Sequence, residues 1–235
     1  MIPTAVVALL GLVQGPWLHS WAVAAGRDET FSSALACPNG SGHKSFGVRC
    51  SCGRLRWREF VAALGVGSVY WAMAVSLGIN LVLVAHVAMV SLTSMLIITD
   101  LDHFRIPNRL LYPGGTLCML LLSGAALLEN AAPSLLRSLL GAVLYSGLLF
   151  LVFLVAKGDG FGFGDVKLAV LLGFFAGFHT LPVLAYALFI TSLIGGIPAL
   201  VLLLMGKSRR LAIPYGPPLI LGTWAAIVWA PSLLA

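Results

Sequence analysis

Acidic side chains are scarce in this sequence, eight Asp and Glu among 235 residues, so each can be weighed for chemistry. Asp28, Glu29 and Glu59 fall in a long polar loop, Glu129 in a short connection and Asp159 in a glycine-rich one; solvated loop charges account for all five. Asp100, Asp102 and Asp165 lie instead at the edges of apolar runs. Asp100 closes the run Ser94-Met95-Leu96-Ile97-Ile98-Thr99. A charge there is costly unless a partner, water or a function holds it. Asp165 follows Gly160-Phe161-Gly162-Phe163-Gly164, and a backbone rich in glycine can approach another chain closely because it has no Cβ.

Two facing carboxylates at a partly dry site are what aspartic proteolysis requires. Like charges close together cannot both ionise comfortably, so the pair shares one proton. The ionised partner takes a proton from the attacking water while the other donates to the carbonyl oxygen. Taken alone, each residue has a plain structural explanation, Asp100 as a helix-boundary marker and Asp165 as an N-terminal charge favoured by the helix macrodipole. Their shared face and the glycine run beside one of them favour chemistry.

The elements that must position the pair are membrane helices. Hydrophobic residues make up 60% of the chain, charged residues 9%, and the mean hydropathy is +1.01. A water-soluble domain carries about a quarter charged residues, whereas runs of about 20 apolar residues are membrane-span candidates. The fold class expected is all-α, a polytopic membrane bundle of about eight transmembrane helices with a cytoplasmic loop between helices 1 and 2. The apolar runs are continuous rather than alternating, which argues against a barrel.

The helices read as Ile2–Ala25, Phe60–Leu77, Leu81–Thr99, Leu110–Leu128, Pro133–Ala156, Asp165–Phe178, Leu181–Met205 and Pro214–Leu233. Residues 1–59 then form a first helix plus a cysteine-containing loop, and residues 60–235 the membrane-embedded catalytic domain. The first helix lacks a basic leader and is read as retained rather than as a cleaved signal. With the N-terminus outside, every Lys and Arg except Arg137 falls in or beside a cytoplasmic loop, and so do both aspartates. This placement explains the net charge of +6 without nucleic acid and makes the lipid bilayer the expected surroundings.

Asp100-Leu101-Asp102-His103-Phe104-Arg105-Ile106-Pro107-Asn108 resembles the first aspartate motif of the type IV prepilin peptidases. Gly162-Phe163-Gly164-Asp165-Val166-Lys167-Leu168 resembles their second, the Gly-x-Gly-Asp motif of membrane aspartic proteases. Ile213-Pro214-Tyr215-Gly216-Pro217-Pro218-Leu219 is similar to the segment that opens the family's last helix. The resemblance, good from about Val61 onward, implies Asp100 and Asp165 as the catalytic pair. Gly162, Gly164, Lys167, Ile106, Pro107 and Asn108 become the supporting motif residues. It implies cleavage of the leader of a prepilin or pseudopilin after a glycine, at the cytoplasmic face of the bacterial inner membrane. No cofactor is needed for proteolysis.

The amino-terminal part departs from the family pattern. Cys37 and the pair Cys50-Ser51-Cys52 replace the two Cys-x-x-Cys pairs that hold zinc in bacterial members. With His43 they could make four ligands, but the spacing is irregular and reduced, loop-packed cysteines are preferred over zinc. The family's second activity, methylation of the new N-terminus, would need S-adenosylmethionine and is put in doubt by the same loop.

Lys167 could attract an acidic group of the substrate or favour the ionised state of the pair, or simply snorkel. His103 reads as an exposed loop histidine, and His19, His86 and His179 show no metal-like spacing. A presenilin-like or signal-peptide-peptidase-like protease is disfavoured by Thr99, where those proteins carry Tyr, and by the Ile106-Pro107-Asn108 extension. An ion-coupled transporter would place acids or broken helices near the bilayer midplane. An inactive scaffold is separable from an enzyme only by assay, and the oligomeric state is unknown.

Overall fold

The computed structural model describes residues 2–26, 57–155, 162–204 and 214–233. These form eight helices and no strand among the described residues: α1 (Ile2–Gly26), α2 (Trp57–Leu77), α3 (Leu81–His103), α4 (Asn108–Leu128), α5 (Pro133–Val155), α6 (Phe163–His179), α7 (Leu181–Leu204) and α8 (Gly216–Leu233). Six of them are long and apolar enough to cross a bilayer; α6, with 17 residues, and α8, with 18, are shorter. At about 1.5 Å per residue, α6 reaches only about 26 Å. The chain is a multi-pass membrane protein built as a helical bundle. Its outward faces carry exposed Leu, Val and Phe, the surface expected where lipid takes the place of water.

Small residues set the closest packing. Gly141 of α5 lies so near the Gly173 carbonyl of α6 that a Cβ on either would collide with the other's backbone. Gly15 of α1 meets the backbone at Ala63 of α2 in the same way. Without a hydrophobic drive between helices in lipid, such close approach supplies the dispersion contacts that hold them together. Pro16 does not interrupt α1. Nearby, Gln14 Oε1 accepts a 2.7 Å hydrogen bond from the Tyr70 hydroxyl, which also meets Ser91 Oγ, joining α1, α2 and α3.

Several boundaries differ from the sequence expectation, and the differences have causes. The third helix runs past Thr99 to His103, so Asp100 lies inside its last turn. An aspartate near a helix C-terminus opposes the macrodipole and reads as a terminator; here a donor from another segment holds it. Helix α2 starts at Trp57, not Phe60, which turns Glu59 inward. Glu59 is 1% exposed, 3.5 Å from His19 Nδ1, and is no solvated loop charge. Glu129 is exposed, but its Oε1 accepts the Leu81 N–H at 2.7 Å and so caps α3. His103 is the last residue of α3 rather than a loop residue, and its ring packs against Gly26.

Candidate active site

Asp100 and Asp165 come together. They are 5% and 6% exposed, line the same cleft of about 650 Å³, and the Asp100 charge acts on Asp165. Helices α3 and α6 carry them on antiparallel courses, one at the end of its helix and the other at the start. The two backbones scarcely touch; α4 and α8 pack against both and hold them. The site is therefore assembled by side chains and loops rather than by direct helix packing.

Each carboxylate rests on a backbone donor. Gly216 N–H donates to Asp100 Oδ2 at 3.0 Å, and a Cβ on Gly216 would stand 2.7 Å from that oxygen. Any larger residue there would make the Asp100 carboxylate shift. Gly162 N–H donates to Asp165 Oδ2 at 3.2 Å, while Asp165 N–H returns to the Gly162 carbonyl at 3.1 Å. Asp165 thus occupies the third position of α6, where a carboxylate satisfies otherwise orphaned amides and faces the positive end of the helix. Tyr215, just before α8, lies within electrostatic reach of Asp165.

The two motifs are also tied to one another. A Cβ on Gly164 would press on the Ile106 side chain at 3.2 Å, so the small residue lets the Ile106-Pro107-Asn108 segment lie against the start of α6. Pro107 precedes α4, and its carbonyl accepts the Leu110 and Leu111 amides. Lys167 Nζ donates to Asn108 Oδ1 at 3.1 Å and lies over the rings of Tyr112 and Phe163, at 5.3 and 5.1 Å from their centroids. Its ammonium is engaged within the protein, and Lys167 lines the same cleft as the two aspartates. Asp102 points elsewhere and pairs with Arg58 of α2.

Cys37, Cys50 and Cys52, with His43, lie outside the described residues, as does Asp159. Among the described residues no group of three or more His, Cys, Asp and Glu is arranged to hold a metal. The partner of Asp100 is what sequence reasoning missed. The segment Ile213–Leu219 stood out as a resemblance, but nothing in its spacing said that the Gly216 amide would bind a carboxylate 116 residues away.

Residues 87–200, which include both aspartates, match the profile of the type IV leader peptidase family. A prepilin leader peptidase/N-methyltransferase of Bacillus subtilis is 31% identical over 188 residues, covering 79% of this chain and 72% of that protein. The chain belongs to the type IV leader peptidase family. Proteins of the same name from Stutzerimonas stutzeri and Aeromonas hydrophila are 29% and 31% identical over 58% and 74% of this chain, which covers 46% and 58% of their lengths. It therefore spans about half the length of these two leader peptidases. No solved structure matches it significantly.

Proposed function

We propose that this chain is a membrane aspartic endopeptidase that removes the leader peptide of type IV prepilins or pseudopilins, with Asp100 and Asp165 as its catalytic pair. The observation that carries the reading is two nearly buried carboxylates, from separate helices, sharing one cleft. One carboxylate is protonated and the other ionised. The ionised group takes a proton from water as its oxygen attacks the scissile carbonyl, and the protonated group gives its proton to the carbonyl oxygen. Collapse of the resulting gem-diol passes a proton to the leaving amine and frees leader and mature protein. The protons belong to the pair, so neither aspartate is named acid or base.

The substrate's apolar helix lies in the bilayer beside the enzyme and its leader junction enters the cleft. Basic residues cluster in the loops at the carboxylate end, which favours a cytoplasmic active site in a bacterial inner membrane with the N-terminus outside. Gly162 and Gly164 line the cleft without side chains of their own, and Ile106, Pro107, Asn108 and Lys167 hold the two motifs in register. The test is cleavage of a prepilin in reconstituted membranes by the wild type and by Asp100→Asn and Asp165→Asn. Equal cutting by either variant sinks the assignment. The same product, incubated with labelled S-adenosylmethionine, reports whether the new N-terminus is methylated.

A further inference from the structure

The helices that bear the aspartates meet a second time, at their opposite ends. His86 of α3 and His179 of α6 bring their Nε2 atoms to 3.0 Å. Each histidine stands fourteen residues from the aspartate on its own helix. Fourteen residues are about four turns, or roughly 21 Å, so histidine and aspartate project from one face of each helix and the two contacts lie in the same register. His86 is fully buried, its ring edge-on to Phe175 at 5.0 Å, and His179 lies edge-on to Phe178 at 5.7 Å. His86 Nδ1 lies 2.8 Å from the Val82 carbonyl and must donate to it, which leaves Nε2 as an acceptor. His179 Nε2–H then completes the bond.

A metal is a poor occupant. No third His, Cys, Asp or Glu joins the pair among the described residues, and Arg137 of α5 places a positive charge within reach of His179. What the bond does is mechanical. Because α3 and α6 hardly touch along their backbones and are packed through α4 and α8, the His86–His179 bond is a direct polar tie between two helices otherwise held by their neighbours. The His86 ring, fully buried, has no water to fall back on and holds its geometry for that reason.

We propose that the His86–His179 hydrogen bond positions the catalytic pair, setting from the far ends of α3 and α6 the register in which Asp100 and Asp165 meet. The inference rests on the proteolytic reading above. Its test separates the bond from mere packing by using amides that mimic different ring nitrogens. Glutamine places its amide near Nε2 and asparagine near Nδ1. His86→Gln keeps an acceptor facing His179, whereas His86→Asn cannot reach it.

With a prepilin substrate in reconstituted membranes, His86→Asn and His179→Ala each lower kcat about tenfold per folded enzyme, with KM little changed. Their double variant loses no more than either alone, because both remove one shared interaction. His86→Gln retains most of the wild-type kcat. The proposal is overturned if Asn and Gln behave alike at position 86, if the two losses multiply, or if folded variants cut at the wild-type rate. A wild-type chain that does not cut at all overturns the proteolytic reading itself, an outcome distinct from these.

Discussion

The two ends of the α3–α6 pair have the same spacing and opposite characters. At the carboxylate end the polar groups lie on an open cleft and each is held by a glycine amide, that of Gly216 at the start of α8 for Asp100 and that of Gly162 at the N-cap of its own helix for Asp165. At the histidine end the polar groups hold one another, among phenylalanines. A reacting group must be reachable and must change its proton, so its supports have to come from the backbone, which stays put when the side chain titrates. A structural group is free to lean on a partner side chain as well, as His179 does on the His86 ring that the Val82 carbonyl orients. The difference separates a site that does work from one that keeps shape, and only the first of the two stood out in the chain alone.

The contrast is broken most decisively at the carboxylates. Asp100→Asn and Asp165→Asn should each lower prepilin cleavage by about a thousandfold or more, since proton transfer by positioned groups contributes about 10²–10⁴. Both variants should still fractionate with membranes. The wild type should give a bell-shaped pH profile, falling at low pH as the pair takes its second proton and at high pH as it loses its last. A profile that rises to a plateau and never falls would mean that the pair does not share a proton.

Next in size is Gly216→Ala. The added methyl would meet Asp100 Oδ2 at 2.7 Å and force the carboxylate aside. A misplacement of this order costs up to about a hundredfold, so kcat should fall about 10- to 100-fold. Gly196, where a Cβ meets nothing within 4 Å, is the control and should tolerate alanine. If both alanine variants behave alike, the cleft does not depend on the Gly216 contact.

These variants also mark where sequence reading stops. The all-helical bundle was legible because its signal is the length of apolar runs, which needs no knowledge of neighbours. Asp100 and Asp165 were legible because charges are rare in such runs and glycines flank one of them. The Gly216 amide, the pairing of His86 with His179 and the burial of Glu59 were not. Each depends on which helix faces which, and in lipid every helix is apolar on most sides, so hydropathy carries little facing information. The end of α3 was misplaced for a related reason: Asp100 obeys a tertiary donor rather than the local rule against acids at helix C-termini.

A smaller effect is expected where the two motifs are tied. Lys167→Met keeps an apolar stem beside Tyr112 and Phe163 but removes the hydrogen bond to Asn108 Oδ1. A solvent-accessible bond of this kind contributes about 0.5–1.5 kcal/mol, so cleavage should fall about three- to tenfold through kcat, with the protein still folded. A loss as large as that of the aspartate variants would move Lys167 from support to chemistry.

The smallest effect, and the one of opposite sign, concerns Phe104. It follows the last residue of α3 with φ 53° and ψ 37°, a left-handed conformation that closes the helix by directing its N–H to the Asp100 carbonyl at 2.9 Å. A residue with a Cβ gives up about 1–2 kcal/mol to stand there, and glycine is the usual occupant. Glycine also costs more backbone entropy on folding, about 0.5–1 kcal/mol, so Phe104→Gly should stabilise the protein by about 0.5–1 kcal/mol in thermal unfolding in detergent. Phe104→Ala removes the same exposed ring but keeps the Cβ, and should bring no such gain. If alanine stabilises as much as glycine, the ring and not the backbone is responsible, and α3 ends at Phe104 without strain.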